Sequence, residues 1–206
     1  MNPRKIFIAT VAIVAIAVGA WLSYQVASPP RAQSTRAATL LNGANALPEF
    51  TLVDHTGAPV GADVFTGQWD LVFFGFTHCP DVCPLTLQVL ASARQQLADS
   101  GFEPLPRIVL VSVDPERDTP DKLAQYVSHF GEGNLGITGE LEELRKLTGA
   151  LGIFFGKSMR EDGSYLVDHS SAVLAFDPNG QFRALFGSPH QAENYVHDIP
   201  IIVDQS

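Results

Sequence analysis

Residues 71–76 (LVFFGF) form an uninterrupted apolar run that leads into a short polar segment and then into a helical pattern. A run of this length without polar residues is typical of a strand that is covered on both faces. Residues 85–98 place apolar side chains at helical spacing, and residues 99–101 (DSG) end that helix. We therefore expect a buried strand that turns sharply into a helix, which favours a sheet covered by helices.

Strands and helices continue to alternate after this unit. Apolar runs predict strands at residues 50–53, 107–113, 171–176 and 181–186, and helical spacing predicts helices at residues 120–130, 140–148 and from 190 onward. Residues 177–180 (DPNG) form a turn, so the last two strands are expected to pair antiparallel. This order predicts an α/β fold with a thioredoxin-like mixed sheet flanked by helices, an N-terminal hairpin and an insertion around residues 131–165.

The N-terminal region has a different pattern. Residues 6–24 are nearly all apolar, close to the roughly 20 residues that one helix needs to cross a bilayer. Arg4 and Lys5 precede this segment, so its short tail is expected to stay in the cytoplasm while the rest is exported. A cleaved signal peptide is the alternative, and it would send the domain to the same side.

We therefore expect three regions along the chain. They are a cytoplasmic tail with a transmembrane anchor at residues 1–24, a linker at residues 25–47 and a thioredoxin-like domain at residues 48–206. The expected location is the bacterial inner membrane, with one N-terminal span and the soluble domain in the periplasm. The membrane would be contacted through the N-terminal helix.

Charge and composition exclude several classes of protein. Residues 37–206 carry nine basic and 22 acidic side chains, a net charge of −13. Such a domain lacks the basic face that nucleic-acid binding requires. Hydrophobic residues make up 46% of the chain, which excludes a disordered acidic tail. Its two cysteines also exclude a small domain built on a framework of disulfides.

Cys79 and Cys83 lie where the strand at 71–76 gives way to the helix at 85–98. The positive end of a helix dipole favours a thiolate, so we expect lowered cysteine pKa values here. Residues four apart share a helix face, so both sulfurs can converge on a metal ion or on each other. A stabilising disulfide is disfavoured because closing so short a loop removes little entropy from the unfolded chain. Redox exchange and binding of a soft metal such as Cu(I) or Zn²⁺ remain.

The chain has six histidines as candidates for a further ligand. His169 directly precedes the strand at 171–176, and in a thioredoxin topology the segment that enters this strand lies against the cysteine loop. His78 is a second candidate because it directly precedes Cys79. In an extended segment, however, its side chain points away from that of Cys79. The others are interpreted as surface residues on loops or helices: His55, His129, His190 and His197.

Three segments resemble the Sco/SenC family. They are residues 74–84 (FGFTHCPDVCP), 111–119 (VSVDPERDT) and 167–170 (VDHS). The resemblance spans about residues 45–200. It implies a membrane-anchored, thioredoxin-like protein that binds copper, as Cu(I) or Cu(II), through Cys79, Cys83 and His169.

The resemblance also implies a role and partners. Members of the family help to metallate the binuclear copper site of cytochrome c oxidase subunit II, and some act by reducing the cysteines of that site. The first hypothesis is therefore a copper metallochaperone rather than an enzyme. Its expected partners are cytochrome c oxidase subunit II, other copper chaperones and thiol–disulfide reductants.

Three alternatives stay open. The first is a thiol–disulfide oxidoreductase that uses Cys79 and Cys83 as its redox-active pair and keeps cuproprotein cysteines reduced. The second is a peroxiredoxin-like peroxidase, for which Thr77 is present but no arginine occurs within residues 77–84. The third is a passive structural module. The acidic loop at residues 114–118 (DPERD) is interpreted as a solvated loop with a helix cap, with a docking surface as its alternative.

Overall fold

The structure is a computed structural model that describes residues 3–27, 34–41 and 46–205. It divides into two units, Met1–Ser34 and Thr35–Ser206. The first unit contains helix α1 (Pro3–Ala27), which covers the expected anchor. Within the described ranges, no helix combines the length and the hydropathy needed to cross a membrane. Parts of the expected linker, residues 28–33 and 42–45, lie outside the described residues.

The second unit is built on a mixed sheet. The described residues contain ten strands: β1 (Ala38–Leu40), β2 (Leu52–Asp54), β3 (Pro59–Val60), β4 (Asp70–Gly75), β5 (Arg107–Ser112), β6 (Leu135–Thr138), β7 (Phe155–Met159), β8 (Tyr165–His169), β9 (Val173–Phe176) and β10 (Phe182–Phe186). Eight of them form one sheet in the order β1-β10-β9-β4-β5-β6-β2-β3, and β7 pairs only with β8. Strands β4, β5 and β6 are parallel to one another, whereas the other pairs are antiparallel.

The centre of the sheet follows the apolar runs of the sequence. Every residue of β4 is buried, as are all residues of β5 except Arg107, which confirms the two strands predicted there. The buried carboxylate of Asp70 accepts two hydrogen bonds of 2.8 Å from the Arg107 guanidinium. Because these two residues are register partners in the parallel pair, the charge is neutralised within the sheet.

Four helices accompany the sheet: α2 (Val82–Asp99), α3 (Pro120–Ser128), α4 (Leu141–Leu151) and α5 (Ala192–Asp204). Helix α2 contacts α5, and α3 contacts β6. The Thr119 side chain accepts a hydrogen bond from the Lys122 amide, so the predicted cap of α3 is confirmed. The predicted α/β, thioredoxin-like arrangement of a mixed sheet with helices is present.

Three elements differ from the sequence expectation. Strand β1 lies within the expected linker and pairs with β10. Strand β6 lies in the expected insertion and adds a third parallel strand beside β5. The hairpin β7–β8 begins in that insertion and runs beyond it to His169. The insertion is therefore part of the folded domain, and it supplies β7, the strand that pairs with the one ending at His169.

Candidate metal centre

The two cysteines lie on the loop and helix that follow β4. Cys79 belongs to the loop, and Cys83 lies in the first turn of α2. The Cys83 amide donates a hydrogen bond of 3.4 Å to the Cys79 sulfur, so a free N–H at the start of the helix already points at one thiol. The two cysteines are not joined by a disulfide, and Cys79 is half-buried whereas Cys83 is buried.

Gly75 at the end of β4 provides space for the Cys83 sulfur. A Cβ atom at this position would lie 2.9 Å from Cys83 Sγ and 2.7 Å from the ring of Phe73. Real contacts of a Cβ atom are rarely so short, so the site requires glycine. Sequence reasoning did not select Gly75, although a glycine within an apolar strand is a known sign of close approach.

His169 reaches the cysteines from the end of β8. Its Nε2 atom lies 3.4 Å from Cys83 Sγ, and its Nδ1 atom lies 3.0 Å from the Ser170 carbonyl oxygen. A carbonyl can only accept, so we assign the imidazole proton to Nδ1. The lone pair of Nε2 is then directed towards the thiols. The rings of Phe73 and Phe76 meet the imidazole edge-on, each at 5.7 Å between centroids, and fix its orientation.

The structure brings together the three side chains that the sequence singled out. The sulfurs of Cys79 and Cys83 and a ring nitrogen of His169 all lie within 4.8 Å of one another. Among the six histidines, which all fall in the described ranges, His169 alone belongs to this cluster. His78 instead places its Nδ1 atom 3.1 Å from the Thr77 hydroxyl and is not a member.

Partial burial of His169 and full burial of Cys83 act in the same direction, towards the neutral form of each side chain. Burial lowers the pKa of His169, which keeps the imidazole neutral as a ligand must be. Burial also raises the pKa of the Cys83 thiol, and the nearby Cys79 and Asp118 add to this effect. The expectation of a lowered cysteine pKa is therefore wrong for Cys83, because loss of solvent outweighs the helix dipole. A metal ion binding here must displace the Cys83 proton.

The acidic loop at 114–118 is a structural part of the site rather than a solvated loop. Asp118 is fully buried. Its carboxylate accepts hydrogen bonds from the Thr77 amide at 2.8 Å, the Thr77 hydroxyl at 2.5 Å and the Ser112 hydroxyl at 2.6 Å. Asp118 therefore holds the start of the cysteine loop against the end of β5. The sequence interpretation failed because burial of a charge depends on tertiary contacts.

The same loop also holds the hairpin that carries His169. The buried Asp114 carboxylate accepts a hydrogen bond of 2.8 Å from the Tyr165 hydroxyl and pairs with the Arg117 guanidinium. That guanidinium lies 4.0 Å above the Tyr165 ring, and Lys157 lies 4.2 Å from the same ring while pairing with Glu116. We call these contacts between residues 114–117 and the hairpin the hairpin clasp. Through it His169, the third candidate ligand, is attached to the loop that also positions the cysteines.

The geometry permits two kinds of chemistry. Two sulfurs and one neutral imidazole nitrogen form a donor set that suits a soft or borderline metal ion. Two reduced thiols within 4.8 Å of each other are also close enough for a small movement to join them as a disulfide. The half-buried Cys79 is the sulfur that an incoming protein can reach more easily.

Comparison with known proteins agrees with this site. The SCO1/SenC family model matches residues 38–204. The chain belongs to the SCO1/SenC family. A curated member, "Protein SCO2 homolog, mitochondrial" of Mus musculus, is 36% identical over 181 residues, which cover 87% of this chain and 71% of that protein.

Solved structures extend the comparison to the fold. Arabidopsis thaliana ScoI with copper bound matches with a TM-score of 0.73 and 32% identity over 79% of this chain and 100% of that one. The structure of BsSco reports a disulfide switch in a member of the Sco family of cytochrome c oxidase assembly proteins. It matches with a TM-score of 0.60 and 19% identity, covering 79% of this chain and 96% of that one. At that identity, the likeness to BsSco shows a common fold.

Proposed function

We propose that this SCO1/SenC protein is a copper metallochaperone that binds one copper ion through Cys79, Cys83 and His169. The observation that carries the proposal is the convergence of two sulfurs and one ring nitrogen within 4.8 Å. Its support from relatives is the copper-bound structure of the plant ScoI. Two thiolates with Cu(I) leave a net charge of −1, which the nearby N-terminus of α2 offsets.

Delivery would proceed by exchange of ligands without a change in the oxidation state of copper. A thiolate of the acceptor binds copper as the half-buried Cys79 leaves, and Cys83 and His169 follow as further acceptor ligands bind. The released Cys83 thiolate takes up a proton from solvent, since its burial favours the neutral thiol. The proposed acceptor is the binuclear copper site of cytochrome c oxidase subunit II, in keeping with the family's role in assembly of that oxidase.

We further propose that the domain is exported and held at the bacterial inner membrane by residues 1–24. The support is the apolar stretch at residues 6–24 and the cations that precede it, Arg4 and Lys5. Fusing a periplasmic reporter enzyme to the C-terminus of the full chain tests the topology. Reporter activity only with residues 1–24 present would support export, and activity in the cytoplasm would contradict it.

A thiol–disulfide oxidoreductase is the second candidate. The specific observation in its favour is the pair of reduced, adjacent thiols, of which Cys79 is partly accessible. Here Cys79 would attack a disulfide of the substrate, and Cys83 would resolve the mixed disulfide. The substrate is reduced to two thiols while Cys79 and Cys83 are oxidised to a disulfide. His169 is not required for this reaction.

Copper titration of the reduced full chain separates the two candidates. The variants are Cys79→Ala, Cys83→Ala and His169→Ala, with His129→Ala as a control on a histidine outside the cluster. We expect one copper ion per wild-type chain and loss of tight binding in all three cluster variants, because each removes one of three ligands. Disulfide reduction that survives in His169→Ala while wild type retains no copper would favour the oxidoreductase.

A further inference from the structure

The segment directly after His169 is supported from behind by a second histidine. The His190 Nε2 atom lies 2.7 Å from the Ser171 carbonyl oxygen, and its Nδ1 atom lies 2.7 Å from the Tyr195 hydroxyl. Sequence analysis interpreted His190 as a surface residue, but the structure places it half-buried between the end of β10 and α5. Both of its ring nitrogens therefore form hydrogen bonds.

The protonation state of this pair follows from its partners. Burial lowers the pKa of His190, so the ring is neutral near pH 7 and carries one proton. The Ser171 carbonyl can only accept, so Nε2 bears that proton and donates it. Nδ1 is left as an acceptor, and the Tyr195 hydroxyl donates to it. Tyr195 thus stabilises the tautomer of His190 that donates to the Ser171 carbonyl.

Tyr195 is itself firmly placed. It is 1% exposed and stacks on the ring of Phe186, with 4.3 Å between centroids. Phe186 belongs to β10, and Tyr195 belongs to α5, so the hydroxyl is fixed by packing between a strand and a helix. A hydroxyl held in this way is a rigid donor for the His190 ring.

The carbonyl group of Ser171 directly follows that of Ser170, which orients the His169 ring. Nδ1 of His169 donates to the Ser170 carbonyl oxygen at 3.0 Å. Ser170 is held on its other side by Phe154, through its amide at 2.9 Å and through its hydroxyl at 3.0 Å. The turn between β8 and β9 is therefore fixed at Ser170 by Phe154 and at Ser171 by His190. Two successive carbonyls must keep their directions for Nε2 of His169 to face the cysteines.

We propose that His190, with its tautomer stabilised by Tyr195, is a positioning residue that keeps His169 oriented for copper. This inference rests on the proposed copper-binding function. His190 acts through the backbone at Ser170 and Ser171 and does not itself bind the metal. The role is the outer support that metal-ligating histidines commonly require.

Three variants of the full chain test the inference. Tyr195→Phe removes one hydroxyl and leaves the stacked ring in place. His190→Leu removes the donor to Ser171, whereas His190→Gln retains an N–H near the position of Nε2. His129→Gln is the control, because it changes a histidine at the end of α3, outside the cluster. Copper affinity is measured by competition with a chelator, and the Cu(II) form is followed by its thiolate-to-copper absorption bands and its EPR spectrum.

We expect Tyr195→Phe and His190→Leu to weaken copper binding by up to about tenfold and to alter the Cu(II) spectra, since direct outer partners of a ligand have effects of at least this size and these two residues act one step further away. His190→Gln is expected to recover most of the affinity, and the control should match wild type. A purely structural role would lower the melting temperature without changing the spectra of the folded, loaded protein.

The results that would overturn the inference are distinct from those against the proposed function. Affinity and spectra of Tyr195→Phe that equal those of wild type would refute the positioning role, even if His190→Leu did not fold. Wild-type protein that binds no copper would refute the positioning role and the metallochaperone together. Weakened binding in His190→Leu that His190→Gln fails to restore would show that donation to Ser171 is not the cause.

Discussion

The absence of a side chain at Gly75 leaves room for the buried sulfur of Cys83. The ring of Phe73 and that sulfur would both lie within 3 Å of an added Cβ atom. Neither neighbour can move easily, because Phe73 and Cys83 are fully buried. The position of one ligand thus depends on a residue that binds nothing itself.

Gly75→Ala is therefore expected to displace Cys83 Sγ and to destabilise the fold by about 1–3 kcal/mol through overpacking. Copper affinity should fall as well, because the sulfur moves relative to His169. Urea unfolding and copper titration measure the two effects. Gly149→Ala is the matched control: no atom lies within 4 Å of its added Cβ, and replacing a helix glycine should stabilise by up to about 1 kcal/mol. Equal copper affinity of Gly75→Ala and wild type would contradict this explanation.

Residues of the site differ in how far sequence could predict them. Cys79, Cys83 and His169 stand in recognisable motifs, so their selection needed no coordinates. The raised pKa of Cys83 could not be foreseen, because it results from burial that only the packed domain produces. The same holds for Asp118, whose charged side chain is typical of a surface but is fully buried here.

The hairpin β7–β8 is the element that brings His169 to the two cysteines. It pairs with no strand of the main sheet and depends on the hairpin clasp for its position. Burial and the hydrogen bond to Asp114 raise the pKa of Tyr165 to about 12, so its hydroxyl remains a donor at all physiological pH values. The position of His169 is therefore coupled to the loop at residues 114–118.

Tyr165→Phe is expected to loosen this element. The variant removes one hydrogen bond to a buried carboxylate, which should cost about 1–3 kcal/mol. Hydrogen exchange of the amides in β7 and β8 should accelerate, and copper affinity should fall because His169 is less well held. Tyr126→Phe serves as the control, since the buried Tyr126 hydroxyl has no hydrogen-bond partner in the part of the chain that the structure describes. Unchanged hairpin exchange in Tyr165→Phe would show that the clasp does not hold the hairpin.

Element prediction from sequence succeeded where an apolar run or a turn signal was clear, and it failed at β1, β6 and the hairpin β7–β8. Strands β4 and β5 and helix α2 have clear apolar patterns, and each was predicted. Strand β6 has four residues, including a glycine, and its burial comes from its neighbours β5 and β2. The hairpin was not predicted because contacts with a distant loop, rather than local pattern, stabilise it.

At the scale of the whole domain, Asp198 joins the first strand to the last helix. The buried carboxylate accepts hydrogen bonds from the amides of Arg36, Ala37 and Ala38, at 2.7, 2.8 and 2.8 Å, and contacts the His197 ring. Burial alone would raise the pKa of Asp198, but these hydrogen bonds outweigh it and the pKa is lowered. The folded state therefore favours the ionised carboxylate.

This shift predicts a loss of stability in acid. A carboxyl group with a lower pKa in the folded state stabilises the protein above its unfolded pKa, and this stabilisation is lost as the pH falls through the folded pKa. Asp198→Asn should lower the free energy of unfolding by about 2–3 kcal/mol at pH 7, a difference that shrinks below about pH 4. Urea unfolding at several pH values measures it, with Asp204→Asn, an exposed site on the same helix, as the control. A pH-independent difference would contradict the assigned cause.

The fold class and the family could be inferred from the sequence of the domain as a whole. The order of strands and helices predicted the mixed sheet, and three motifs in order predicted the SCO1/SenC family. The first edge of the domain was misplaced, because residues 38–40 are too few to give a strand pattern and form a strand only by pairing with β10. Asp198, which holds that strand, lies 160 positions further along the chain.

The attachment of β1 also determines how the domain would respond to a pulling force on its N-terminal end. A pull applied to the chain at Thr35 would enter the domain through β1, at one edge of the eight-stranded sheet. Strands β10 and β9 lie between that edge and β4, whose loop carries the cysteines. The hydrogen bonds from the amides of residues 36–38 to Asp198 and the pairing of β1 with β10 would break first. Mechanical load at this end would thus be taken up first where β1 pairs with β10, and two strands separate β1 from the strand before the loop of the thiols.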